Sequence, residues 1–330
     1  MPQCADGAVV ITGASSGIGR ATAQAFAREG ACLALCARGA EALQETVREC
    51  RRLGGHAFGV PTDTRDPEAV KRLARMAAET FGGIGVWVNN AGGGAVGRYW
   101  EVPIAAHRAT VETDLLGYLH GAHAALPYFL DRGRGVLVNN ISIGGLIPTP
   151  YAASYAAAKT AVRAFADSLR QELASWPDIH VCSVFPYFVD TPGIYHAANY
   201  TGRALKPAPF VVRPEQVAAA VLGLAREPRR EVVVGIMGKL GRLEHAIAPR
   251  LVEAALRLGT EAYLAQAKTA PVSDGNLFHP MPEPMAVTGG WRHSGLRTAA
   301  AVLGLAAAGF LAVRAIPHGW KAADAQRTAG

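Results

Sequence analysis

The most constraining feature of the sequence is a glycine-rich turn between two segments of different periodicity. An apolar run, Ala8–Thr12, passes directly into Thr12-Gly13-Ala14-Ser15-Ser16-Gly17-Ile18-Gly19, where a helical pattern begins. Glycines permit a sharp strand-to-helix turn and close approach of backbone N–H groups to an anion. The helix N-terminus adds unpaired donors and the positive end of a dipole. The spacing is G-x-x-x-G-x-G, not the general G-x-G-x-x-G fingerprint, so the strand before and the helix after carry the reading. Thr12, Gly13, Ser15, Ser16, Gly17, Ile18 and Gly19 are therefore expected to cradle a pyrophosphate.

Alternation of the same kind continues downstream. Cys32–Ala37, Ala57–Pro61, Val86–Asn90, Val136–Ile141 and Val181–Phe185 read, with Ala8–Thr12, as strands buried on both faces. Helical patterns lie near residues 18–29, 40–53, 67–81, 104–131 and 152–175. A further helix starts near Pro214 and leads to a seventh strand, Glu231–Gly235. Strand–helix alternation predicts an α/β chain: a Rossmann-like, doubly wound, mostly parallel seven-stranded sheet with helices on both faces. Hydrophobic residues at 50% and charged ones at 18% exclude a disordered chain. The net charge of +7 forms no Lys/Arg run, so nucleic acid is not an expected partner. Five cysteines, odd in number and without metal-ligand spacing, predict reduced thiols and no metal. No basic-then-apolar N-terminal run is present, so a cytoplasmic location is expected.

The end of the second strand reads cofactor choice. A carboxylate there would bind an adenosine 2′-hydroxyl and repel a 2′-phosphate. This chain has Ala37 and then Arg38, whose guanidinium can pair with the phosphate. NADP(H) is favoured, and NAD(H) remains possible. Tyr155 and Lys159 are four residues apart on a predicted helix and share a face. An ammonium near a phenol favours the phenolate and makes the pair an acid–base candidate. Ser142 ends the strand of Asn139-Asn140-Ile141-Ser142, at the carboxyl edge where ligands of open α/β sheets sit.

Taken together, Thr12-Gly13-x-x-x-Gly17-x-Gly19, Asn89-Asn90-Ala91-Gly92, Ser142 and Tyr155-x-x-x-Lys159 resemble the short-chain dehydrogenase/reductase family over roughly residues 6–235. The resemblance implies that Tyr155 transfers a proton, that Lys159 lowers its pKa and binds the nicotinamide ribose, and that Ser142 orients the reacting oxygen. It further implies that Asp63 holds the adenine amino group and that Asn90, Ala91 and Gly92 line the cleft. Pro186, Val189 and Thr191 would hold the carboxamide, and the chain would form a homodimer or homotetramer through the helices near 104–131 and 152–175.

Two positions depart from the family pattern. Asp114 stands where the family usually has Asn, and two unit charges about 4 Å apart couple by about 4 kcal/mol at an effective dielectric near 20. An anionic Asp114 would oppose the effect of Lys159 on Tyr155, so either it is protonated when buried or the pH optimum moves upward. Tyr187 replaces a common glycine and either narrows the pocket or packs on its loop. Ile194, Tyr195 and Tyr200 give the following segment an apolar, aromatic character, which points to a small hydrophobic ketone or alcohol. The leading reading is an NADP-dependent oxidoreductase. A nucleotide-binding sensor or scaffold that lacks turnover is the alternative, and a sugar-nucleotide epimerase or dehydratase ranks lower.

Past Gly235 the pattern changes. Apolar positions at helical spacing run through 240–268, and residues 1–265 are read as the catalytic domain. Pro271, Pro280, Pro282 and Pro284 mark 266–297 as an extended arm or linker. The segment 298–316 reads as an apolar helix, a possible membrane anchor between Trp291 and Trp320, and 317–330 as a polar tail.

Overall fold

Burial on both faces dictates the centre of this molecule. The computed structural model describes residues 7–281 and 285–294. Its strands and helices, in chain order, are β1 (Ala8–Thr12), α1 (Gly17–Ala27), β2 (Cys32–Ala37), α2 (Ala40–Arg52), β3 (His56–Pro61), α3 (Pro67–Phe81), β4 (Ile84–Asn89), β5 (Ala95–Val96), α4 (Ile104–Val111), α5 (Gly117–Arg132), β6 (Gly135–Asn140), α6 (Ala153–Glu172), β7 (Ile179–Pro186), α7 (Gly193–His196), β8 (Ala198–Asn199), α8 (Pro214–Arg226), β9 (Glu231–Val234), α9 (Ile236–Ile247) and α10 (Pro249–Gln266). Among the described residues, seven strands form a parallel sheet in the order β3-β2-β1-β4-β6-β7-β9. This is the expected Rossmann-like fold. The strand order reverses between β1 and β4, and that crevice, at the carboxyl edge, is where such sheets bind ligands.

Side chains of β1 alternate between two cores. Val9 and Ile11 join Phe26, Leu33, Leu35, Val217 and Val221 on one face. Ala8 and Val10 join Leu73, Trp87, Phe129 and Leu137 on the other. Fully burying a side chain such as Phe26 or Leu137 contributes on the order of 1.5–3 kcal/mol. The helices on these faces are set by local signals. Asp66 caps α3 by accepting from the Glu68 and Ala69 N–H groups, Pro67 occupies its first turn, and Gly82 ends it in the left-handed conformation.

Several details differ from the sequence-based expectation. The stretch 104–131 is divided into α4 and α5 by a π-helical turn, Glu112–Leu116. The stretch 240–268 is divided at Ala248–Pro249, because proline offers no N–H to continue α9. α10 buries none of its residues, and Leu243, Ile247 and Leu258 are exposed. Cys32 is disulfide-bonded, which corrects the expectation of reduced thiols throughout. Cys36, Cys50 and Cys182 are free and buried.

The arm beyond α10 is extended and lies along the body of the protein. Thr269 bridges Arg203, and Ser273 and Asn199 exchange backbone hydrogen bonds of 2.7 and 3.0 Å. No helix among the described residues is long and apolar enough to cross a membrane. The proposed anchor, 298–316, lies outside the described residues.

Candidate active site

The turn between β1 and α1 is so tight that side chains would not fit in it. A Cβ on Gly19 would lie 2.1 Å from the Gly13 carbonyl oxygen, and one on Gly13 would lie 2.8 Å from the Ala91 Cα. Gly13 and Gly17 also have positive φ, at 66° and 52°. The turn is tied to the loop after β4. The Thr12 hydroxyl accepts from the Asn90 and Ala91 N–H groups at 2.9 and 3.0 Å, and the Asn90 amide donates to the Thr12 carbonyl. Ser16 is the extended residue preceding α1, and Ser15, Ser16 and Ile18 are half-buried along the turn. A Cβ on Gly17 would lie 3.1 Å from the Thr191 side chain, so the segment after β7 closes the same crevice. In that segment Pro186 ends β7 and Val189 bridges Val212.

Ser142, Tyr155, Lys159 and Asp114 converge at the carboxyl edge of β6. Ser142 has φ 130° and ψ 155°, a region almost restricted to glycine. Such strain persists where the surroundings over-determine it. Its hydroxyl accepts from Gly144 N–H at 3.1 Å, and Ser142 Oγ and the Tyr155 ring edge flank the Cβ position of Gly144 at 3.6 and 3.3 Å. One turn further along α6, Lys159 is 3% exposed, and its Nζ lies 2.8 Å from Asp114 Oδ1, whose residue is 0% exposed. The π-helical turn carries Asp114, and the Gly92–Gly93 segment leaves room for it. A Cβ on Gly92 would come within 2.7 Å of Asp114 Oδ1, and Gly93 N–H donates to Oδ2 at 3.4 Å.

The electrostatics follow from this burial. Burial pushes the Asp114 carboxyl up and the ammonium beside it pulls it back, while burial opposes and Asp114, Tyr118 and Tyr155 favour the charge on Lys159. With Nζ and Oδ1 2.8 Å apart, both pKa values lie above their ordinary values, Asp114 through burial and Lys159 through its neighbours against burial. Tyr155 is raised as well: burial dominates, Asp114 adds to it, and Lys159 and the Ser142 hydrogen bond oppose it. A charge on Asp114 would add to the upward shift of Tyr155.

Tyr118 is the residue that sequence reasoning missed. Its hydroxyl donates to the Asn140 carbonyl at 2.6 Å and accepts from Lys159 Nζ at 2.9 Å, and its ring lies 4.2 Å from that ammonium. It stands four residues after Asp114 along the helical stretch, a spacing that could have signalled it.

Other expected positions are engaged differently. Arg38 donates to the carbonyls of Asn276 and of Leu277, the latter at 3.2 Å, so its guanidinium faces the arm. The carboxylate of Asp63 is held by Arg65 at 2.6 Å; burial raises its pKa, but the side-chain and backbone hydrogen bonds from Arg65 and the charges of Arg65 and Arg38 together lower it. An adenine amino group would have to share it. Tyr187 has its Cβ beside the Cβ positions of Gly235 and Gly238, and its ring lies edge-on to Phe188 at 5.2 Å. Tyr195 stacks on Trp291 at 4.5 Å, and Tyr200 packs on the cluster around Ala95 and Leu277.

The residues present suit a nicotinamide dinucleotide. The glycine turn offers backbone donors beside a helix N-terminus, Arg38 offers a cation at the end of β2, and the Tyr155 hydroxyl group stands with Ser142 at the other end. A family model described as short chain dehydrogenase matches residues 7–198. The chain is 35% identical over 253 residues to the uncharacterized oxidoreductase YxnA of Bacillus subtilis, covering 75% of this chain and 70% of that one. It is 35% identical over 226 residues to 3beta-hydroxysteroid dehydrogenase 1 of Eggerthella lenta, covering 66% and 86%. Among solved structures, an alcohol dehydrogenase from the archaeon Thermococcus sibiricus, complexed with 5-hydroxy-NADP, aligns with a TM-score of 0.61 and 29% identity over 69% of this chain and 96% of that one. Further solved neighbours hold NAD and NADPH.

Proposed function

The chain belongs to the short-chain dehydrogenase family, and from that premise we propose that it is an NADP(H)-dependent oxidoreductase interconverting a hydrophobic ketone or aldehyde and its alcohol, with Tyr155 as the acid–base group. The observation that carries the reading is the convergence of Ser142, Tyr155 and Lys159 on one edge of the sheet beside the glycine turn. A bound nicotinamide supplies the hydride or accepts it. The chain's own residues do the rest. Ser142 Oγ fixes the substrate oxygen, and Tyr155 Oη delivers a proton to it in reduction or removes one in oxidation. The Lys159 ammonium, held by Asp114 and Tyr118, keeps a positive charge near that phenol.

Support for NADP(H) over NAD(H) comes from Arg38 at the end of β2 and the missing carboxylate there. Support for a hydrophobic substrate comes from Ile194, Tyr195 and Tyr200 in the segment after β7 and from the likeness to a hydroxysteroid dehydrogenase. Assembly as a homodimer or homotetramer is part of the proposal. It rests on the family's habit and on the alanine-rich apolar groove along α6, lined by Ala153, Ala157, Ala161 and Ala164. Light scattering in solution checks it.

The test is cofactor oxidation with a panel of hydrophobic ketones. Tyr155→Phe is expected to lower turnover by about 10²–10⁴-fold while NADPH still binds. Binding of NADPH by both proteins, with no turnover by either, would favour the sensor instead. Arg38→Ala is expected to weaken NADPH by about tenfold or more, the worth of a charged hydrogen bond, without weakening NADH. Equal losses for the two cofactors in fluorescence titrations would remove Arg38 from the choice.

A further inference from the structure

The C-terminal arm touches the glycine turn, Arg38 and the post-β7 segment, three parts of the crevice to which the proposed function assigns the dinucleotide. At the adenosine end, Asn276 and Leu277 give their carbonyls to Arg38, and Pro280 lies 3.8 Å from the Cβ position of Gly39. At the glycine turn, Gly17 N–H donates to the Ala286 carbonyl at 2.9 Å, and Arg20 in the first turn of α1 reaches the Met285 carbonyl. At the nicotinamide end, Trp291 Nε1 donates to the Thr191 carbonyl at 3.1 Å, and the side-chain oxygen of Asn276 lies 3.2 Å from the Cβ position of Gly93.

These contacts are built rather than grazing. Leu277 is buried in the apolar cluster of Ala95, Val102, Ala106 and Ala198. The Asp190 carboxylate takes the N–H groups of Gly289 and Trp291 at 3.1 and 2.8 Å. Asn276 N–H donates to the His196 carbonyl at 2.8 Å.

The polarity of the contacts decides what they do. A strap that clamps a bound dinucleotide would turn donors towards its phosphates. At Gly17, Arg20 and Arg38 this arm turns acceptors towards the groove, and there carbonyl oxygens stand where phosphate oxygens would seek the same groups. Gly17 has one N–H, at a helix N-terminus whose orphan donors and partial positive charge attract acceptors and anions. That N–H cannot serve Ala286 and a pyrophosphate at once. We propose that residues 276–281 and 285–291 are an intramolecular occupant of the dinucleotide groove, which the cofactor must displace in order to bind. The inference rests on the nucleotide-binding reading and adds a regulation of that same site.

The apparent dissociation constant of a ligand is its intrinsic value divided by the fraction of protein open to it, so an arm closed nine parts in ten costs about tenfold in affinity. Full-length wild type and Trp291→Ala, which loses the bond to Thr191 and the stack on Tyr195, are titrated with NADPH and with NADH. The variant is expected to bind both about tenfold more tightly. Equal or weaker binding overturns the displacement while leaving nucleotide binding intact. A second readout needs no variant. Hydrogen exchange of the backbone amides of 276–281 and 285–291 in the wild type is expected to speed up when NADPH is added. Unchanged or slower exchange in the presence of bound NADPH overturns the proposal in favour of a clamp. Failure of both proteins to bind either cofactor at millimolar concentration overturns the nucleotide reading itself.

Discussion

At Asp114 the chain sets a carboxylate against Lys159, the lysine to which the proposed mechanism assigns the positive charge near Tyr155. The pair costs desolvation of two charges and recovers it through a 2.8 Å contact and the Tyr118 hydroxyl on the far side of the ammonium. Burial raises the Tyr155 pKa most, and an anionic Asp114 adds to that rise and keeps the phenol protonated to higher pH. The sign is definite. A phenol serves reduction as an acid below its pKa, and a phenolate serves oxidation above it, so oxidation rises with pH through that pKa and reduction falls. Asp114→Asn removes the anion and lowers the Tyr155 pKa, and the rise of the oxidation profile is expected at lower pH. Superimposable pH–rate profiles of wild type and variant would take Asp114 out of the mechanism. The residues of this site were legible in the sequence because each falls in a short motif with fixed spacing. Tyr118 was not, since a tyrosine in a helix is ordinarily a packing residue and its hydrogen bonds depend on how α5 lies over β6.

Elements declare themselves to the extent that burial shapes their composition. All residues of β1, β2 and β6 are buried, so β1 and β2 read as unbroken runs of apolar or small residues and β6 as one that closes on Asn139-Asn140. β5 and β8 have two residues each and pair with one another, and β8 also bridges Ser273 of the arm; they are too short to leave a pattern. The π-helical turn that aims Asp114 is equally silent, because one extra residue per turn hardly alters hydrophobic spacing. At the β1–α1 junction the geometry is unforgiving. Gly19→Ala sets a methyl group 2.1 Å from a backbone oxygen that cannot swing away. A loss of stability on the order of 1–3 kcal/mol is expected for such overpacking, read as a lower denaturant midpoint with unchanged slope. A midpoint equal to wild type would show that the turn can open at no cost.

At the scale of the whole molecule, the arm is what sequence could not place. Its prolines marked it as extended, but its partners Arg38 and Gly17 lie more than two hundred residues upstream, and no local pattern records such a contact. The segment 298–316 remains an expectation about residues beyond those described. If it anchors the protein to a membrane, full-length chains sediment with membranes and chains ending at Gly295 do not; equal partition of the two after fractionation would refute the anchor. The strand order has a further consequence. β3, β2, β1 and β4 are neighbours in space and all precede residue 90, whereas β6, β7 and β9 are added outward in the order in which they are made. A nascent polypeptide leaving the ribosome therefore holds half of the sheet, with its glycine turn, before Ser142 or Tyr155 has been translated.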